Sequence, residues 1–136
     1  MDTENNLRIG LPSKGRLSEI AGDLLNQAGL RFRRQSRGLF ARVGGLPIDL
    51  IFLRTDDIPT LCAEGAIDMG ITGSDLVEEA GADVQLRMKL GVGRCRLAVC
   101  VPEDAPITSA AELNGKRIAT SFTGITERYL AGFDAK

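Results

Sequence analysis

Lys14, Gly15 and Arg16 place two cations around a glycine, in a loop that opens with Pro12 and Ser13 and runs into apolar residues from Leu17 onward. Where a helix begins, its first backbone N–H groups lack intrahelical partners and its dipole is positive. A lysine and an arginine at such a point can hold an anion, phosphate above all. A solvated turn with two surface cations accounts for the same residues, because the glycine spacing is not that of a Walker loop. Spacing alone leaves both open.

A second group, Arg31, Arg33, Arg34, Arg37 and Arg42, gathers around Phe32 and Phe40 with no acid between them. The planar guanidinium fork makes bidentate, charge-assisted contacts that suit a pyrophosphate. Nucleic acid asks for a wider field than this: 17 Lys and Arg against 18 Asp and Glu give a net charge of -1, so neither nucleic acid nor an anionic membrane is an expected partner. Arg54, Asp56 and Asp57 follow an apolar run. Their carboxylates could take a magnesium ion through water, accept a ligand hydroxyl, or cap the next helix. Thr72 and Ser74 bring hydroxyls beside Gly70 and Gly73, where backbone can approach a ligand, although a plain turn with a serine cap fits as well.

Histidine is absent, which removes imidazole acid–base catalysis and histidine metal ligation from this chain, and no metal-ligand motif is expected. Cys62, Cys95 and Cys100 are an odd count inside apolar runs, which predicts reduced, buried thiols and a cytoplasmic protein. Without a histidine, Cys95 lacks the support a nucleophile needs.

These loops need elements to hold them. Residues 7–11 form a short apolar run stopped by Pro12, and Leu17, Ile20, Ala21, Leu24, Leu25 and Ala28 recur at helical spacing before Gly29. Residues 39–43 and 48–53 predict a strand pair turned by Gly44, Gly45 and Pro47. A short helix through Leu61 and Ala63 follows, with acids and Pro59 in its first turn; then come a strand at 69–72, a helix at 73–80, and strands at 84–90 and 96–101. The last third predicts a short helix at 109–113, a turn at Gly115, a strand at 117–119 and the start of a helix at 126–130.

The alternation is α/β in kind. Residues 102–109, with two prolines and two acids, are the expected crossover, so that 1–101 make a first lobe and 102–136 the crossover and the start of a second. A chain of 136 residues with 43% apolar content can bury a core without disulfide or metal staples. Its polar, acidic start lacks the basic and apolar regions of a signal peptide, and no run approaches the about 18 apolar residues of a membrane helix.

Taken in order, several motifs resemble the catalytic subunit of the ATP phosphoribosyltransferase family. They are the run from Leu11 through Ser13, Lys14, Gly15 and Arg16 to Leu17; Ser36, Arg37, Gly38, Leu39; Asp56, Asp57, Ile58, Pro59; and Gly65 through Asp68, Gly70, Thr72 and Gly73 to Asp75. Gly93 to Leu97, Asn114 to Thr120, and Arg128, Tyr129, Leu130 continue the series. No single motif decides the matter, but the ordered set is specific.

The resemblance implies a bilobal fold like the type II periplasmic-binding proteins, incomplete in this chain, with ligands in a cleft. It implies an enzyme, of the glycosyltransferase (pentosyltransferase) class, that joins ATP to phosphoribosyl pyrophosphate with magnesium in the first step of histidine biosynthesis. By motif match Arg16 and Arg37 correspond to arginines that contact the nucleotide and the departing pyrophosphate, one of them able to reach across a subunit boundary. Lys14, Gly15, Arg54, Asp56, Thr72 and Gly73 become substrate-binding candidates. A homo-oligomer is implied, with a regulatory subunit resembling histidyl-tRNA synthetase if the parent is the short form. The family's phosphoribosyl-binding loop is expected beyond Lys136, so this chain alone is expected to turn over little or not at all. A small-molecule binding or sensor domain on the same fold is the alternative; porphobilinogen deaminase shares the basic-loop start but fits the motifs after Arg37 poorly.

Overall fold

Leu7–Pro12 is strand β1 of the computed structural model, which describes residues 5–136. Side chains alternate across a strand, and here Ile9 and Leu11 are buried on one face while Gly10 faces the other way. The chain then enters helix α1, Arg16–Gln27, whose Ala21 and Leu25 lie four residues apart on one face and pack on Ile9 and Leu11. Strands β2, Phe40–Arg42, and β3, Ile48–Leu53, form the expected antiparallel pair. A 3-10 turn, Thr55–Asp57, leads into α2, Ile58–Ala63, and then come β4, Met69–Gly70, and α3, Ser74–Ala80.

The sheet order is β2-β3-β1-β4, with β3 and β4 both parallel to β1 and only β2 antiparallel. Leu50 and Phe52 of β3 join Ile9 and Leu11 under α1. The opposite face is closed by Ile58 and Ile67, both almost wholly buried. They press directly on strand backbone: a Cβ on Gly10 would lie 2.5 Å from Ile67 Cδ1, and one on Gly70 would collide with Ile58. Helix α2 therefore sits against β1 and β4 because those strands carry glycine where it packs.

Arg8 ties the start of β1 to the segment before β4. Its backbone N–H donates to Asp68 Oδ2 at 2.8 Å, its guanidinium donates to the Gly65 carbonyl at 2.9 Å, and Nε lies 3.5 Å from Asp68 Oδ2. These contacts, the backbone N–H first, hold the Asp68 carboxyl below its ordinary pKa.

Met1–Leu90 and Gly91–Lys136 are separate compact units. The lobe boundary expected after residue 101 falls inside the second of them. That unit has a small core of Leu113, Leu130 and Ala135 around a 3-10 turn, Ala110–Leu113, and helix α4, Thr123–Ala131. A capping box closes the turn, with Glu112 Oε2 accepting from the N–H groups of Thr108 and Ser109 at 2.6 and 3.3 Å. The Lys136 N–H donates to Asn114 Oδ1 at 3.0 Å, and the Gly115 N–H to the Lys136 carbonyl at 2.9 Å.

The expected strands at 84–90, 96–101 and 117–119 are irregular. A strand exists only when its backbone pairs with a neighbour, and among the described residues none pairs with these segments in a sheet. Their apolar side chains stand in solvent, Leu86 at 68%, Met88 at 73% and Leu97 at 58% exposure. The thiols depart in the same way: Cys95 and Cys100 are exposed and Cys62 half-buried, so burial of all three is corrected. An apolar run predicts a buried thiol only where a second layer covers it.

Candidate functional site

Because β3, β1 and β4 are parallel neighbours, the loops that leave their C-terminal ends emerge on one edge of the sheet. This is the edge where open α/β sheets bind ligands. It carries Ser13, Lys14 and Gly15 after β1, Arg54 to Asp57 after β3, and Ile71, Thr72 and Gly73 after β4. Seven of the eight site residues expected from sequence thus share one edge, and Arg37 comes from the loop before β2.

Hydrogen bonds stitch these loops together. The Ser13 N–H donates to the Leu53 carbonyl at 2.7 Å, setting the basic loop against the end of β3. Thr72 Oγ1 donates to the Thr55 carbonyl at 3.0 Å and fastens the loop after β4 to the one after β3. That hydroxyl is committed to the backbone, so Thr72 shapes the edge.

Gly15 caps α1 with φ 86 and ψ -175, a conformation left almost wholly to glycine. Among the described residues no side chain caps this helix N-terminus. Lys14 and Arg16 flank it, exposed. The arrangement can receive an anion on backbone N–H groups and two cations at once.

Arg37 is also exposed and has φ 59, the left-handed region that costs a branched or long side chain about 1 kcal/mol or more. The turn that places it is closed by the Gly38 N–H donating to the Gln35 carbonyl at 2.8 Å. On the loop after β3, Arg54 Nη2 stands 3.6 Å from Asp56 Oδ2 with both side chains well exposed, so each screens the other. Neither Asp56 nor Asp57 caps α2 through its side chain. Among the described residues no three His, Cys, Asp or Glu side chains cluster as a metal site.

The arginine group at 31–42 resolves into different jobs. Arg42 faces Asp49 across the β2–β3 pair and bonds its Oδ1 at 3.2 Å, so the expectation of a cluster unmatched by acids is corrected at that position. Arg31 and Arg33 point outward. Arg34 turns in, with its guanidinium stacked 3.9 Å from the Phe52 ring centroid, Nε bonded to the Gly38 carbonyl and Nη1 to the Ser13 carbonyl, each at 2.8 Å. Among five arginines its residue type gave no sign of this. Its spacing did: Phe32 bridges Val43 as a strand residue would, and two positions on, Arg34 lies on the same inward face.

Comparison with known proteins adds identity to this geometry. Residues 54–136 match the family model described as HisG: ATP phosphoribosyltransferase. An ATP phosphoribosyltransferase of Rhodopirellula baltica is 76% identical over 99% of this chain and 45% of its own length. One from Methanocella arvoryzae is 44% identical over 92% of this chain and 44% of its length. The chain thus spans less than half of these curated relatives. A solved chain of the ATP phosphoribosyl transferase (HisG:HisZ) complex from Thermotoga maritima superposes with a TM-score of 0.68 at 26% identity, covering 95% of this chain and 60% of that one. The architecture is accordingly α/β and periplasmic-binding-like, present here in part. The family description also corrects the class expected from sequence: the group moved is the phosphoribosyl unit, and phosphoribosyltransferase replaces glycosyltransferase. This chain belongs to the ATP phosphoribosyltransferase family.

Proposed function

We propose that the edge formed by the loops after β1, β3 and β4 is the N-terminal share of an ATP phosphoribosyltransferase site, acting in the first step of histidine biosynthesis. The observation that carries this is the convergence of an uncapped helix N-terminus, Lys14, Gly15 and Arg16 with the Thr72 and Arg54 loops on one sheet edge, in a chain of this family. In the reaction the adenine N1 lone pair of ATP forms a bond to ribose C1 of phosphoribosyl pyrophosphate, and the C1–O bond breaks with its electron pair leaving on pyrophosphate. N1 already carries its lone pair, so no strong base is needed. The demand is for cations fixed where negative charge grows on the leaving group. Arg16 and Arg37 fill that role, Lys14 and Arg54 add to the field, and Gly15 and Gly73 let backbone approach the phosphates.

Magnesium fits as part of the substrates. The ion would arrive on the phosphate oxygens of the substrates, and exposed Asp56 and Asp57 on the loop after β3 could meet it through water. The two-lobed cleft, a homo-oligomer and a regulatory partner are further parts of the proposal, supported by the likeness to the Thermotoga complex. A cytoplasmic setting accords with free, exposed thiols at Cys95 and Cys100. Calorimetric titration with ATP and then phosphoribosyl pyrophosphate, each with magnesium, tests the site. ATP heat that weakens at least tenfold in Arg16→Ala or Arg37→Ala is expected. Equal affinity in wild type and both variants would refute the assignment, and preference for an amino acid or inorganic anion over nucleotides would favour a sensor domain.

A further inference from the structure

We propose that Arg34 is a positioning residue that fixes the basic loop of Arg16 and the turn of Arg37 relative to each other, and thereby sets the spacing of the two cations that meet the pyrophosphate. The inference rests on the site proposed above. Its grounds are geometric. One guanidinium bonds the Ser13 carbonyl through Nη1 and the Gly38 carbonyl through Nε, so the backbone one residue before Lys14 and the backbone one residue after Arg37 share a single rigid fork. The fork's central carbon lies over the ring of Phe52, 3.9 Å from its centroid, and Phe52 is a 5% exposed core residue of β3. Three segments far apart in sequence thus meet at one planar group that is itself seated on a buried ring of the core.

Backbone bonds seat each loop on β3 separately, the Ser13 N–H on the Leu53 carbonyl at 2.7 Å and the Phe52 N–H on the Leu39 carbonyl at 3.0 Å, whereas Arg34 bonds both loops through one group. Arg16 and Arg37 are exposed side chains on a helix start and a left-handed turn, and they gain a fixed separation only if those backbones do. Lysine cannot replace Arg34: a single ammonium cannot lie flat on the ring and donate along two fixed directions.

The test pairs a ligand-free readout with a binding one, using the 136-residue chain with Arg34→Leu and Arg34→Lys. Amide hydrogen exchange should quicken on the order of tenfold in both variants at the hydrogen-bonded amides of Ser13 and Gly38 together, while the amides of Ile9, Leu11 and Leu50 stay protected. Titration with inorganic pyrophosphate should show affinity about tenfold weaker in both variants, since displaced cations lose much of their effect. If only Gly38 quickens, or if Lys restores wild-type exchange and affinity, the positioning role is overturned. It is overturned too if the β1 and β3 amides quicken equally, because Arg34 would then support stability generally. Arg16→Ala separates the two claims. Wild type binding pyrophosphate no better than Arg16→Ala would sink the site assignment, and the role of Arg34 in it, even with the exchange pattern intact. A weak Arg16→Ala beside normal Arg34 variants would sink the Arg34 inference alone.

Discussion

The stacking of Arg34 on Phe52 links the core to the candidate site, and a double-mutant cycle measures it. The guanidinium carbon lies 3.9 Å from the ring centroid with Arg34 half-buried, between the exposed and desolvated limits for such contacts, so the coupling should be about 1 kcal/mol. Phe52→Leu keeps an apolar group in place but removes the ring from Arg34 and from Phe32 at 6.1 Å, and should cost about 1 to 2 kcal/mol. Arg34→Leu loses two hydrogen bonds from a charged donor, about 2 kcal/mol after allowance for its partial exposure. The double variant should then be about 1 kcal/mol more stable than the sum of the singles implies. Urea unfolding followed by far-ultraviolet circular dichroism reads this as a midpoint difference of about 0.5 M for an m-value near 2 kcal/mol/M. The chain has no tryptophan and its one tyrosine, Tyr129, lies in the second unit, so fluorescence would miss the event. Singles that add within about 0.3 kcal/mol would show that the stack contributes nothing and that Arg34 is held by its carbonyl partners alone.

Arg37→Gly relieves the left-handed backbone at φ 59 while removing a cation, so stability should hold or rise by up to about 1 kcal/mol as pyrophosphate affinity falls; a destabilised variant with normal binding would contradict both halves. Asp68 has its carboxyl pKa depressed by Arg8, so its contribution is present above the unfolded value of 3.8 and is lost as pH falls through the lower folded value. With both side chains about 40% exposed this amounts to under about 1 kcal/mol, and Asp68→Asn should flatten stability against pH within that window and leave the slope at higher pH unchanged, as acid titrations of both proteins would show. Leu50, with no exposure, sits at the centre of β3, and Leu50→Ala should lower unfolding free energy by about 3 to 5 kcal/mol; a loss under 1 kcal/mol in urea melts would mean the core is placed wrongly.

What was legible in the sequence follows from how local each signal is. Helix α1 could be read from Leu17, Ala21, Leu24 and Leu25 because a helical face needs only its own spacing, and it begins at Arg16, one residue earlier than expected. The pair of β2 and β3 could be read because Gly44, Gly45 and Pro47 mark its turn. Residues 96–101 carry as strong an apolar pattern as β3, yet a strand depends on a partner that no local pattern supplies. The same limit governs the site. The sequence singled out Lys14, Arg16 and Arg37 by loop chemistry and resemblance. The two-residue spacing from Phe32 could put Arg34 on the inward face and Arg33 toward water, but it could not name Phe52 as the ring Arg34 meets, since that depends on which strand lies beneath.

The most direct test of the central claim is a residue-resolved nuclear magnetic resonance titration of the chain with magnesium pyrophosphate. The account predicts saturable shifts of the backbone amides at 13–18, 54–57 and 72–74, the loops after β1, β3 and β4, and at 37–38 in the turn before β2. Shifts confined to the second unit, or linear drift without saturation at those loops, would contradict it.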